Sequence, residues 1–262
     1  MSTAVIVPGS FAALSMYESL SQSLTSNDIP NEIVDLPSVG RREVKPATMT
    51  DDVNEIVSVV EKLVDQGREV VLLTHSYGGV PATQSLKTLS LKARQAEGKE
   101  GGVSKIIYMA AVALPVGGSV LSLLEAPDFL KIEARSFFTI PQQILTSQQD
   151  DYMTLESECA PFLYSDFSPE EALGLARAMP QHSTASYREQ LSYPGYEDVG
   201  VHYVVCEEDK LILTAYQYGM VEFLKGASKG EVGVHKIKSG HVPNLTQPDN
   251  VADIVKRIIG ST

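Results

Sequence analysis

Apolar residues fall along this chain in two alternating patterns: short unbroken runs, and longer stretches spaced at three and four. Residues 4–7 and 70–73 are continuous aliphatic runs rich in Val and Ile, which reads as strands buried on both faces. Between them, residues 14–24 and 51–64 carry helical periodicity, with Thr50 as the expected N-cap of the second helix, and residues 32–36 read as a short strand. Helical signals resume beyond Gly78-Gly79 and run to residue 91. A polar loop around residues 96–102 then leads into a strand at 105–111. Strands alternating with helices predict a mainly parallel sheet with helices on both faces, with ligands bound beyond the carboxyl ends of its strands.

From residue 114 to about 196 the alternation fails. This segment contains Pro and aromatic residues, with helical pieces expected near 142–152, 155–162 and 169–179. An inserted helical cap across the ligand end fits it, and so does a second layer of helices on the sheet. The regular pattern returns with a strand at 201–206, a helix at 214–224, a strand at 232–237 and a final helix at 250–259. The expected division is a core of residues 1–113 and 197–262, with residues 114–196 as the cap.

The composition excludes several functions. A chain of 262 residues, 43% hydrophobic, can build a sizeable core, and a net charge of −12 with a pI near 4.9 argues against a nucleic-acid surface or a polybasic membrane patch. No run approaches the roughly 20 apolar residues that cross a bilayer, and the first seven residues lack the basic start of a signal peptide, so a cytoplasmic protein is expected. Cys159 and Cys206 are too few for a disulfide framework or a thiolate metal site, and both read as buried thiols.

Candidate chemistry gathers at strand ends. Ser76 lies on the strand-to-helix corner Thr74-His75-Ser76-Tyr77-Gly78, a stretch that also fits a plain Ser-Gly turn. Glu207, Glu208 and Asp209 follow the strand at 201–206, where a solvated turn is the common reading. Of the five histidines, His75 stands beside the corner, His182 belongs to the cap, and His202 and His235 fall within or at the start of strands. His241 alone follows a late strand in a Gly-containing loop, Lys238-Ser239-Gly240-His241-Val242, ahead of a final helix. A dinucleotide-binding dehydrogenase is set aside, because Pro8-Gly9-Ser10-Phe11-Ala12-Ala13 has a single Gly and no Tyr-x-x-x-Lys occurs.

The corner resembles the nucleophile elbow G-x-S-x-G of the α/β-hydrolases, with Thr74 in place of the first Gly. The order Ser76, Asp209, His241, each beyond a strand, is similar to the triad order of that superfamily. Tyr203-Val204-Val205-Cys206-Glu207-Glu208-Asp209-Lys210 resembles the acid turn of plant methylesterases and hydroxynitrile lyases, and the elbow and acid turn also resemble small fungal relatives tied to secondary metabolism. The resemblance implies an α/β-hydrolase fold with an inserted cap. It further implies Ser76 as nucleophile, His241 as base and Asp209 as acid, with Glu207 and Glu208 as lesser candidates. Backbone N–H groups of Ser10 or Phe11, together with Tyr77, would form the oxyanion hole, no metal or organic cofactor would be needed, and the partner would be a small ester or lactone. A lyase using the same Ser and His, and a small-molecule receptor keeping the fold, are the alternatives. The lyases place Lys after the catalytic His and Thr in the first loop, where this chain has Val242 and Gly9. Gly9, His75, Phe138 and His182 are the expected substrate contacts, with packing as the competing role for His182. Of Leu123, Leu124, Phe129, Phe137, Phe138, Ile140, Tyr152, Phe162, Leu163 and Tyr164, some should face the sheet and the remainder should form an apolar wall above Ser76. Assembly is left open to a homodimer, with no nucleic acid and no membrane as partner.

Overall fold

The computed structural model describes residues 2–125, 146–149 and 151–260. The core strands are β1 (Thr3–Val7), β2 (Asn31–Ile33), β3 (Glu69–His75), β4 (Gly102–Met109), β8 (Gly200–Cys206) and β9 (Val232–Ile237). They form a six-stranded sheet in the order β2-β1-β3-β4-β8-β9, every neighbouring pair parallel. The helices are α1 (Glu18–Ser26), α2 (Met49–Val64), α3 (Gly79–Leu89), α4 (Leu91–Ala96), α5 (Val120–Glu125), α6 (Ala160–Leu163), α7 (Pro169–Arg177), α8 (Thr184–Arg188), α9 (Thr214–Ala227), α10 (Pro243–Thr246) and α11 (Pro248–Gly260).

The unbroken apolar runs follow from a core on each face. Successive side chains of a strand point to opposite faces. Val5, Val7, Val70 and Leu72 therefore pack with α2, α3 and α9 through Ile56, Val60, Leu86 and Met220. Ala4, Ile6, Val71 and Leu73 pack with α1 and α11 through Leu20, Leu24 and Val255. All of these side chains are buried, so a truncation such as Leu72→Ala removes contacts worth about 2–5 kcal/mol.

Two local expectations are corrected. The N-cap of α2 is Thr48, not Thr50: the Thr48 side chain accepts from the Asp51 N–H while the Asp51 carboxylate accepts from the Thr48 N–H, a reciprocal capping box. Thr50 instead bonds Glu189. The helical pattern after Ser76 breaks at Ser90, whose extended backbone and hydroxyl cap a separate helix, α4.

The described part of residues 114–196, the expected cap, is not purely helical. Residues 146–149, expected within the helix at 142–152, form β5 (Thr146–Gln149), and β6 (Tyr152–Leu155) spans the gap between the helices expected at 142–152 and 155–162; both join β7 (His182–Ser183) in an antiparallel three-stranded sheet. Asp151, at φ 63°, turns the chain between the first two strands. Residues 142–145 lie outside the described residues. The cap sheet continues into the core: Val39 bridges His182, and the Ser183 N–H donates to the Ser38 carbonyl at 2.8 Å.

Candidate active site

Ser76 sits at φ 51°, a left-handed conformation that a serine adopts only under constraint, where β3 turns sharply toward α3. The turn is possible because the neighbouring backbone comes very close. A Cβ on Gly78 would meet the Pro8 and Val7 carbonyl oxygens at 2.4 and 2.6 Å, and one on Gly79 would meet the Val112 carbonyl at 2.3 Å. The Val112 N–H in turn donates to the Ser76 carbonyl at 2.9 Å. Thr74 is accommodated where the motif has Gly because its hydroxyl donates to the Ile107 carbonyl of β4 at 3.1 Å.

Three of the sequence-predicted residues meet at this corner. His241 Nε2 lies 3.2 Å from Ser76 Oγ, and His241 Nδ1 lies 2.8 Å from Asp209 Oδ2. Asp209 Oδ1 accepts from the Leu211 and Ile212 N–H groups at 2.8 and 2.9 Å, and Oδ2 accepts from Gln217 Nε2 at 3.1 Å. A carboxylate surrounded by donors is held as an acceptor. His241 therefore carries its proton on Nδ1 and leaves Nε2 free to accept from the serine. Asp209 and His241 are both buried, whereas Glu207 and Glu208 are exposed and pair with Lys236 and Lys238 on the surface.

Gln217, on α9, has no counterpart among the sequence-predicted residues. It also donates to the Ile212 and Cys206 carbonyls and accepts from the Cys206 N–H at 2.9 Å, so it fixes the whole acid turn. Asp166, from the cap, is equally unforeseen. Its carboxylate accepts from the Gly240 N–H at 2.8 and 3.1 Å and from the Ser239 hydroxyl at 3.2 Å, bracing the loop that carries His241.

His75 is buried within a chain of hydrogen bonds. The Gly9 N–H donates to the Tyr17 hydroxyl at 2.9 Å, Tyr17 donates to His75 Nδ1 at 2.7 Å, and His75 Nε2 donates to the His241 carbonyl at 2.8 Å. Burial, with His241 as a close second titrating group, holds the His75 imidazole down to about 3, so it stays neutral and keeps this tautomer. Tyr17 carries no signal in the sequence, because its partners are up to 58 residues away.

The first loop runs beside the serine. A Cβ on Gly9 would lie 3.0 Å from Ser76 Cβ. The Phe11 N–H, one of the two expected first-loop donors, is directed at His182 Nδ1 at 3.5 Å, which leaves Ser10 as the candidate donor there. His182 is fully buried, and its Nε2 donates to Ser186 Oγ at 3.0 Å. Burial holds its imidazole down to about 3. It packs behind Phe11 and Tyr77 and does not line the cavity. Tyr77 donates from its hydroxyl to Asp52 Oδ2 at 2.6 Å, and Asp52 Oδ1 accepts from the Ser38 N–H at 2.8 Å.

Ser76 and His241 open into a cavity whose lining includes Gly9, Ser10, Tyr17 and His75 from the core. Most of the remaining wall is apolar, including Met16, Leu124, Leu155, Leu163, Met179 and Val242. Among the described residues, no Asp, Glu, Lys or Arg lines it. Of the residues expected in the wall, Leu124 and Leu163 are there. Tyr152 turns elsewhere, accepting from the Arg42 N–H at 3.0 Å, and Phe162 packs on Cys159. Leu123 and Tyr164 are buried in packing. Phe129, Phe137, Phe138 and Ile140 lie outside the described residues. Among the described residues no helix is long and apolar enough to cross a membrane, and no group of three His, Cys, Asp or Glu is placed to hold a metal ion.

Residues 4–254 match the alpha/beta hydrolase family. The chain belongs to that family. This alpha/beta hydrolase is 30% identical over 258 residues to Probable hydrolase R7 of a Phoma species, covering 98% of this chain and 97% of the relative. It is 25% identical to Alpha/beta hydrolase nvfD of Aspergillus novofumigatus, over 98% and 96% of the two chains. Solved structures share its fold, two of them as follows. An extracellular alpha/beta-hydrolase from a Paenibacillus species superposes with a TM-score of 0.75 at 17% identity, covering 98% of each chain. Polyneuridine aldehyde esterase superposes at 0.73 with 21% identity, covering 99% of each.

Proposed function

We propose that this alpha/beta hydrolase cleaves a carboxylic ester or lactone of a small, neutral, largely hydrophobic molecule through an acyl-enzyme on Ser76. The observation that carries the reading is the continuous series Asp209–His241–Ser76, at 2.8 and 3.2 Å, opening into an apolar cavity. Ser76 Oγ attacks the carbonyl carbon while its proton passes to His241 Nε2, and Asp209 holds the imidazolium that forms. The N–H groups of Tyr77 and Ser10 receive the developing oxyanion. The proton then moves from His241 to the departing alkoxide. Water, deprotonated by the same imidazole, releases the acid and restores the serine. An uncharged wall disfavours ionic substrates, because a desolvated charge would find no partner there.

The lyase alternative draws no support from the cavity: Val242 occupies the wall where the lyases carry Lys, and Gly9 stands where they carry Thr. The test is incubation with 4-nitrophenyl butanoate and with a fluorophosphonate. Turnover with a mass adduct at Ser76 is expected, and Ser76→Ala and His241→Ala should each lower turnover by roughly 10³-fold or more with the fold intact. Binding of small apolar esters without turnover or adduct would reject the hydrolase in favour of a receptor.

A further inference from the structure

The cavity contains one polar feature that the proposed chemistry leaves unused. Tyr17, His75 and His241 have their hydrogen-bonding atoms engaged, as described above. Ser10 Oγ and the Tyr187 hydroxyl, which also line the cavity, bond only each other among the described residues, at 2.6 Å. Two hydroxyls carry two hydrogens, and their mutual bond uses one. The second hydrogen and the remaining lone pairs therefore have no protein partner among the described residues, in a wall that is mostly apolar.

The Tyr187 ring is packed against two other rings. Tyr187 reaches in from α8 of the cap, with its ring stacked on Tyr77 at 5.5 Å and 23° and packed against His182 at 5.3 Å. Burial pushes its phenol up to about 12, so it remains a hydroxyl donor at any ordinary pH. Ser10 comes from the core, one residue after Gly9, which abuts Ser76. Ser10, Tyr187 and Ser76 line the same cavity, so a carbonyl held at Ser76 shares that space with the hydroxyl pair.

We infer that the Ser10–Tyr187 hydroxyl pair is a recognition point for a second substrate oxygen, a hydroxyl or keto group carried one or two carbons from the scissile carbonyl. The inference rests on the hydrolase reading above and narrows its substrate class to neutral, otherwise apolar oxygenated esters. A pocket built to hydrogen-bond an oxygen leaves its own polar atoms unpaired when that oxygen is missing, which is how such sites discriminate.

The test compares ethyl 3-phenylpropanoate with its 3-hydroxy and 3-oxo derivatives. Wild-type kcat/KM should favour the oxygenated esters by about tenfold or more, the value of one well-formed hydrogen bond. Tyr187→Phe should reduce that preference by about tenfold, chiefly through KM, and Ser10→Ala should shift it in the same direction. Dissociation constants of the three esters for Ser76→Ala, measured calorimetrically, supply a readout independent of turnover and should show the same ranking. A ranking of dissociation constants without wild-type turnover would support the pair while rejecting the hydrolase. Turnover with no preference, or equal losses on all three esters in Tyr187→Phe, would overturn the assignment and reduce the pair to a brace for the first loop.

Discussion

Asp52 gives the sharpest quantitative expectation. It is fully buried at the start of α2, where its carboxyl holds the Tyr77 hydroxyl and the Ser38 N–H, and burial raises it from the ordinary 3.8 to about 6. A carboxyl raised on folding binds more protons in the folded than in the unfolded state between those two values. Stability therefore falls as pH climbs through this window, and the loss is complete above about 6. The rise from 3.8 to about 6 corresponds to a cost of about 3 kcal/mol at pH 8, against about 1.5 kcal/mol at pH 5, where the unfolded carboxyl is already mostly ionised. Asp52→Asn keeps the shape and a partner for Tyr77 and removes the titration. His75 and His182, both held down to about 3, contribute in the opposite sense: their neutral burial destabilises the fold as pH drops below 6.5. Comparing wild type with the Asn variant at each pH cancels that contribution. Urea titrations at pH 5 and pH 8 should show Asp52→Asn gaining about 1.5 kcal/mol relative to wild type across the interval. A wild-type-to-variant difference that is the same at both pH values would refute a raised carboxyl at this position.

Asp209→Asn should lower ester turnover by up to about 10⁴-fold, because an amide favours the wrong imidazole tautomer, while Glu207→Gln and Glu208→Gln stay near wild type. A damaging Gln variant would move the acid to one of those residues. In ¹⁵N spectra His75 should remain neutral and protonated on Nε2 from pH 5 to pH 8, and an inflection near 6.5 would show that the Tyr17–His75–His241 chain is not formed in solution. Val242→Lys should not speed hydrolysis, since a cation buried beside His241 opposes the imidazolium, and a faster variant would contradict the proposed proton transfer.

Elements whose signal is local are legible in the order of residues alone. The expected strand at 232–237 matches β9 to the residue, β1 and β8 agree to within one, and the Ser76 corner follows from a buried run stopping at a Gly pair. His241 stands out by its place after a late strand. The cap sheet is hidden for a physical reason. Its strands are two to four residues long and paired across a cap whose apolar residues show no clear period. The N-cap of α2 lies two residues from its expected place because Thr48 and Thr50 both suit a cap, and only the reciprocal bonding with Asp51 distinguishes them. Phe11 and His182 illustrate a different limit. A backbone N–H shows nothing in the sequence of which way it points, and a cap histidine shows nothing of being packed behind the loop instead of facing the cavity. Gln217, Tyr17 and Asp166 leave no trace in the sequence because each acts on a residue that folding alone brings near.

Asp166 has a consequence for how such enzymes can be recombined. The cap supplies the carboxylate that grips Gly240, and a side chain on Gly240 would collide with Ser165 Oγ at 2.5 Å and Asp166 Oδ1 at 2.8 Å. The insertion and the histidine loop are thus fitted to each other, although they are separated by 74 residues of chain. A chimaera that takes residues 114–196 from a relative replaces part of the cavity lining and loses the Asp166 brace on the His241 loop in the same exchange, unless an acidic residue at 166 and the glycine at 240 travel as a pair. Substitutions within the cavity wall leave the Asp166–Gly240 pair untouched, whereas exchange of the whole 114–196 segment disturbs it.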